Sequence, residues 1–339
     1  MKRFFTSVLL AWLLQAGAMA QSQFEGLCGA ELKQYLHDNF APRSYVSSTI
    51  GEGGAWSIFA QCDVNNQGKM IDRYSSIVYE LLPNHTAAPQ GMEIDNVVNH
   101  TWWGTRITDA VKCDLYNMLP CNSEVLENKR DYMPGVVIDI IYSNGVWSMG
   151  WGSIEGYSIN VYAPPHGYEG DFARIIMYMA TIYPADRWSS QGVNFFADGD
   201  YPTLNGYSRQ LLLQWHNLDP VSDLERTRNV VIASVQGNRN PFVDYPQLVD
   251  YIWGSKSAEP YQPEQTMPER VPLRATYSKS NDAKIDLYSP YIPDDAKWTI
   301  NGVAVEGVSI APASLGVGVH ELRYVSAKTK GKLKIKIVE

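Results

Sequence analysis

The sequence predicts an α+β domain followed by a small all-β module. Three observations predict it. Helix-period patterns and apolar strand-like runs are interspersed up to about residue 254. A polar stretch from Ser255 to Pro272 then breaks the pattern with Pro260, Pro263, Pro268 and Pro272, and reads as a linker. Beyond it the chain turns to short β segments around an Asn301-Gly302 turn.

The elements follow in order. Lys2 and Arg3, the mostly apolar run Val8 to Gln15 and the small-x-small signal Ala18-Met19-Ala20 have the layout of a secretory signal peptide. Cleavage is expected after Ala20, with a secreted, periplasmic or cell-surface protein starting at Gln21. Cys28 lies too far downstream for a lipoprotein anchor. No later stretch approaches the roughly 20 apolar residues needed to cross a bilayer. Leu27 to Asn39 reads as a helix through Leu32, Tyr35 and Leu36. Ser47 to Gly68 is Gly-rich and loop-like, and Tyr74 to Leu82 is a candidate strand. Val136 to Tyr142 and Tyr157 to Tyr162 read as further strands. Asp171 to Ile182 is a helix with Phe172, Ile175, Ile176 and Met179 on one face. Arg209 to His216 is helical. Ser222-Asp-Leu-Glu225 is a capping box opening a helix to about Val235. Pro246 suits the first position of a last short helix ending near Trp253.

In the module, Trp298 to Ile300 and Val303 to Val305 flank the Asn-Gly turn. His320 to Val325 and Leu333 to Val338 complete a sandwich-like set. It carries no catalytic constellation, and its expected role is adhesion, spacing or surface retention.

Composition narrows the function classes. The formal charge is -8, and two positive charges lie in the first three residues, leaving -10 beyond them. That argues against a broadly basic nucleic-acid surface but leaves room for a local cationic groove. Aromatic content is 12%, with 10 Trp and 21 Tyr, most of it expected in the core. Four cysteines, Cys28, Cys62, Cys113 and Cys121, can oxidise in an exported protein. The most local pairing is Cys28–Cys62 with Cys113–Cys121, although three connectivities are open.

Four segments, in order, carry a family resemblance. The first is Asp95-Asn-Val-Val-Asn-His-Thr-Trp-Trp-Gly104. The second is Asp114-Leu-Tyr-Asn-Met-Leu-Pro120 with Glu124-Val125. The third is Gly170-Asp-Phe-Ala-Arg174 with Tyr178-Met-Ala-Thr181. The fourth runs from Leu213-Gln-Trp-His216 through Gln236-Gly-Asn-Arg-Asn-Pro-Phe242 to Trp253. Together, over about Gly68 to Gly254, they resemble the endonuclease I family of ββα-metal nucleases.

The resemblance implies a fold and a chemistry. Phosphodiester hydrolysis needs an activated water and a cation to steady developing charge. In this family a strand His is the general base, and a carboxylate with a helix Asn holds one divalent metal. An Arg nearby contacts phosphate. Carried over residue by residue, Asp95 takes the metal-binding carboxylate position and Asn96 the position of the general-base His. Leu126 falls at the metal-ligand Asn, with Asn128 the substitute ligand if the helix is shifted. Lys129 and Arg130 cover the family's basic residue. Asp114 and Asn117 would brace the metal site. His100 is a relocated base if the chain bends, because an extended strand would displace it by roughly 13 Å. His216 reads as a structural helix residue. Arg239 is a secondary candidate for phosphate.

The implied function is an exported endonuclease dependent on a divalent metal, Mg²⁺ first and Ca²⁺ or Mn²⁺ as alternatives. Its substrate would be DNA, with RNA as a second candidate, cut with little sequence preference. The rival reading is a catalytically degenerate nuclease fold kept as a surface or nucleic-acid-binding protein.

Overall fold

The computed structural model describes residues 23–46, 49–104, 107–185, 187–262, 273–282, 284–287, 292, 295–307, 309–327 and 329–339. The expected signal peptide and the proline-rich residues 263–272 lie outside them. The described residues divide into two compact units, 23–262 and 273–339.

The first unit opens with helix α1, Gly29–Phe40, which buries Leu32 and Leu36 as its periodicity predicts. Helix α2, Ala55–Cys62, occupies part of the expected loop and buries Trp56, Ile58 and Phe59. Glycines on both sides mask a short helix whose driving force is core burial. The expected strand Tyr74 to Leu82 shrinks to a two-residue pairing, β1 (Met70–Ile71) with β2 (Val78–Tyr79). Strand β3, Met92–Asn96, leads towards helix α3, Asp109–Cys113. Strand β4, Met118–Asn122, runs antiparallel to β3 and continues directly into helix α4, Ser123–Lys129.

Strands β5 (Met133–Pro134), β6 (Asp139–Ser143), β7 (Ser148–Ile154) and β8 (Tyr157–Ala163) form a sheet in the order β5-β8-β7-β6. Its edge strand β6 comes from the expected apolar run, yet Ile138, Ile140 and Ile141 are exposed. Helix α5, Glu169–Ile182, is almost wholly buried. It packs against α6, Gly206–Leu218. Helix α7, Asp223–Gln236, starts at the capping box with both reciprocal bonds formed. Two short helices follow, α8 (Pro241–Asp244) and α9 (Leu248–Ile252). Pro246 lies just before the Gln247 cap of α9 rather than at its first position, which Pro241 takes in α8. The core also runs past residue 254. Tyr261 is fully buried and packs edge-on against Phe24 and Tyr251.

A network of six buried ionisable groups ties three helices to the ββ pair. Asp63, after α2, accepts from Arg73 and from Arg228 of α7, at 2.5 and 3.1 Å. Arg73 also reaches Asp171 of α5 at 2.9 Å, and Arg174 one turn on holds Glu225 at 2.6 Å. Burial works against ionising Asp63, but Arg228 and Arg73 outweigh it and hold its carboxyl below the usual range. Arg228 additionally donates to the carbonyls of Leu115 and Met118, at 2.8 and 2.5 Å, fixing the entry to β4. Asp63 and Glu225 each have an arginine partner, the condition under which buried ions are tolerated, while burial and then Glu225 push Asp171 up to about 8.

The disulfide expectation is overturned. All four cysteines are free. Cys62 points its thiol along its own helix to the Ile58 carbonyl at 3.4 Å. Cys121 sits in β4 opposite Glu93, with its thiol on the Asn122 carbonyl at 3.3 Å. Closeness in sequence did not bring either pair together, because helix and strand directions send the side chains to different partners.

The second unit is all β. Strands β9 (Thr276–Ser278), β10 (Ile285–Asp286), β11 (Lys297–Ile300), β12 (Val303–Ala304), β13 (Ser309–Ile310), β14 (Gly318–Val325) and β15 (Lys330–Val338) make two sheets. The larger has the order β12-β11-β14-β15-β9, and β10 pairs with β13. Between β11 and β12, Asn301 and Gly302 take φ of 50° and 84°, the two positive values that a tight Asn-Gly hairpin requires. Tyr277, Ile285, Trp298, Leu322, Ile335 and Ile337 form its core.

Candidate functional site

The hairpin β3–β4 followed by α4 places the expected site. Asp95 is opposite Leu119 and Asn96 opposite Met118. Asn122 caps α4, its side chain accepting from the Val125 amide at 3.0 Å. Arg130 ends that helix with a φ of 50° and is exposed. Leu126 and Lys129, three residues apart, lie on adjacent positions of one helix face.

The Lys129 side chain fills the place beside Asp95. Its Nζ is 3.0 Å from Asp95 Oδ1, and both side chains are buried, at 0% and 2% exposure. The Tyr74 hydroxyl donates to Asp95 Oδ2. Burial first, then the charge of Asp95, pushes the Tyr74 phenol well above its ordinary range, so it stays a donor. Lys129 also sits over the Tyr162 ring, 5.0 Å from its centre. Both oxygens of the carboxylate are therefore engaged. Asn128, the expected substitute ligand, turns the other way and donates to the Glu124 carbonyl at 2.8 Å. Leu126 is packed against the apolar core.

Asn96 is half-buried, and its Oδ1 lies 3.5 Å from Asn117 Nδ2. Asn117 is fully buried and clamps the chain after β3. Its Oδ1 accepts from the Val98 amide at 2.8 Å, and its Nδ2 donates to the Val98 carbonyl at 3.0 Å. Past that clamp the chain bends instead of continuing as a strand. Asn99 caps a short 3₁₀ turn, His100–Trp102. The spacing expected of an extended strand thus does not apply to His100. Its Nε2 is buried without a hydrogen-bond partner. Burial, then Lys112, lowers its pKa against an opposing pull from Asp95, so the imidazole stays neutral.

Asp114 is buried too, but serves packing. It accepts from Tyr178, Tyr183 and Gln236 at 2.8, 2.9 and 3.0 Å, and caps the turn after α3. Arg239 is held by Asp244 at 2.5 and 2.7 Å. His216 is half-buried in α6. Burial, then Arg174, lowers its pKa to about 4. Trp102, Trp103, Tyr178, Trp215 and Trp253 are all core. Tyr74 and Tyr162 were not legible as site residues, since no sequence spacing links them to Asp95.

Residues 28–247 match the family model for Endonuclease I. The chain belongs to the endonuclease I family. Nucleases of this family are generally divalent-metal dependent. The Extracellular ribonuclease of Bacillus subtilis is 37% identical over 110 residues, 29% of this chain and 34% of that protein. The Extracellular ribonuclease of Bacillus amyloliquefaciens is 36% identical over 100 residues, with the same two shares. Endonuclease-1 of Buchnera aphidicola is 22% identical over 228 residues, 62% of this chain and 82% of that one. The match thus spans about a third of the length of the two ribonucleases.

In this endonuclease I chain the residues present do not fit a divalent cation. Asp95 is committed to Lys129 and Tyr74, Leu126 offers no donor, and Asn128 faces away. Among the described residues no group of three or more His, Cys, Asp or Glu side chains is placed to share an ion. A ligand bound only by the folded state raises stability in proportion to the logarithm of its concentration. Millimolar Mg²⁺ or Mn²⁺ is accordingly expected to move the thermal midpoint by under about 1 °C relative to a chelator. A rise of several degrees in a thermal melt would contradict the poor fit.

Proposed function

We propose that the chain is an exported, catalytically degenerate member of the endonuclease I family, a nuclease fold that engages nucleic acid without metal-dependent hydrolysis at the family's centre. The Asp95–Lys129 pair carries this reading. A buried ammonium stands where the family's carboxylate would meet a metal ion, and it neutralises that carboxylate from within the fold. Asn96 supports it, because an amide takes up no proton near neutral pH. Leu126 supports it from the ligand side. Export is supported by the signal-like start and by the extracellular relatives. The nucleic-acid partner class follows from the family, with DNA and RNA both open.

One observation favours a second reading. His100 presents a neutral, unpartnered imidazole nitrogen beside the same hairpin. It could accept a proton from water and support weak hydrolysis, as a base relocated along the chain. One assay separates the two. The purified protein is incubated with supercoiled plasmid and with RNA, in Mg²⁺ and in chelator. We expect no chelator-sensitive cleavage of either substrate. Cleavage that disappears in His100→Ala would replace the degenerate reading with the relocated-base one.

A further inference from the structure

The two parts of the sequence differ in sign. Residues 21–272 hold sixteen basic and twenty-nine acidic residues, whereas residues 273–339 hold ten and seven. In the second unit the cations are gathered on one sheet face. Strand β15 carries Lys330, Lys332, Lys334 and Lys336 at alternate positions, and all four are exposed. Register places them opposite Val325, Arg323, Glu321 and Val319 of β14. Lys297 of β11 is opposite Val325 in turn. Cross-strand partners share a face. That face therefore presents six cations, and Glu321, itself held by Arg323 at 2.6 Å, is the one carboxylate among these paired positions. A merely solvated strand face mixes both signs. The opposite parity, Leu322, Ile335 and Ile337, is buried.

We propose that this face binds a nucleic-acid strand through its phosphates, without reading sequence. Alternate residues of a strand stand about 6.5 Å apart, a repeat comparable to that of phosphates along an extended single strand. Four lysines in line can thus meet successive phosphates. Val319 and Val325 are the large apolar side chains exposed there. No aromatic side chain among these paired positions offers a stacking platform, so the binding is electrostatic and counterion release dominates it. Two valines give little purchase on a bilayer, which favours nucleic acid over an anionic membrane. The unit fused to this one belongs to a nuclease family, and a tether raises the local concentration of a shared partner. The proposal concerns the β module alone and stands whether or not the first unit hydrolyses anything.

The test uses the full mature chain in chelator, with fluorescein-labelled oligodeoxythymidine and fluorescence anisotropy. Affinity should fall roughly 100-fold between about 50 and about 200 mM salt, as expected for about five phosphate contacts on a single strand. Lys334→Gln with Lys336→Gln should weaken binding roughly tenfold at the lower salt and reduce the logarithmic salt slope by about 1.4. Lys279→Gln with Lys284→Gln removes the same charge away from the face and should leave both unchanged. Circular dichroism melts confirm that each variant is folded. Absence of binding at the lower salt would overturn the proposal, as would equal losses in the two variants. Binding to phosphatidylglycerol vesicles with none to the oligonucleotide would overturn it in favour of a membrane surface.

Discussion

Replacing Lys129 by Met is expected to destabilise the first unit by about 3–5 kcal/mol, the usual cost of leaving a buried charge without its partner. Lys129 is fully enclosed and Asp95 nearly so. In the variant Asp95 would keep only the Tyr74 hydroxyl as a donor. The penalty should depend on pH with a definite sign. An abandoned buried carboxylate has a folded pKa raised above its unfolded value of about 3.9. Stability is then retained below that value and lost as pH rises through the folded one. The gap between Lys129→Met and the native chain should therefore be widest near neutral pH and shrink towards pH 4. Removing both charges, in Asp95→Asn with Lys129→Met, should restore much of the loss, because neither ion is then buried. Urea midpoints of these three proteins and of Asp95→Asn alone, at two pH values, give the coupling directly. A single variant that unfolds at the native midpoint would show that the pair contributes nothing, and the closed-site reading would lose its main support.

The second large effect is the recovery of catalysis. In the proposed degenerate reading, three gaps act in series on one water: Asn96 in place of a base, Leu126 in place of a ligand, and a carboxylate paired with Lys129. Repairing one should yield no cleavage. Asn96→His with Leu126→Asn restores base and ligand but leaves Lys129 on Asp95, so metal binding should stay weak. Adding Lys129→Gln frees the carboxylate. Mg²⁺-dependent, chelator-sensitive plasmid nicking should then appear. It should exceed the same variant lacking the His by about 10²–10⁴-fold, the usual contribution of a general base. Because Lys129→Gln removes a buried partner, its folding is checked by circular dichroism, and Mn²⁺ binding is followed by magnetic resonance. Nicking by the double variant as fast as by the triple would show that Lys129 does not close the site. A folded triple variant that binds Mn²⁺ without cleaving would show that base and ligand are not the missing parts.

Local rules already written in the chain account for much of this architecture. Ser222 and Glu225 specify their capping box, and Asn301-Gly302 its hairpin, because both act within four residues. The ordered motifs around Asp95, Asp114, Gly170 and Trp215 place the family, and Asn96 and Leu126 fall at the positions the resemblance gives to base and ligand. Helix α2 is misread as loop, since glycines at its borders outweigh Trp56, Ile58 and Phe59 until a core exists for them to enter. The cysteine pairs are misread for the converse reason: proximity along the chain says nothing about side-chain direction.

What the sequence by itself determined is the family, with Asn96 and Leu126 at the positions the resemblance gives to base and ligand, because these residues lie inside short ordered motifs. Only the tertiary structure decided what surrounds Asp95. Lys129 is 34 residues from Asp95 and Tyr74 is 21 residues before it. They meet because β3 pairs with β4 and α4 folds back over the hairpin, enclosing all three side chains. Once water is excluded there, an ammonium and a carboxylate must find each other, since either alone would be too costly to bury. That pairing is a property of the closed volume, and no spacing along the chain encodes it.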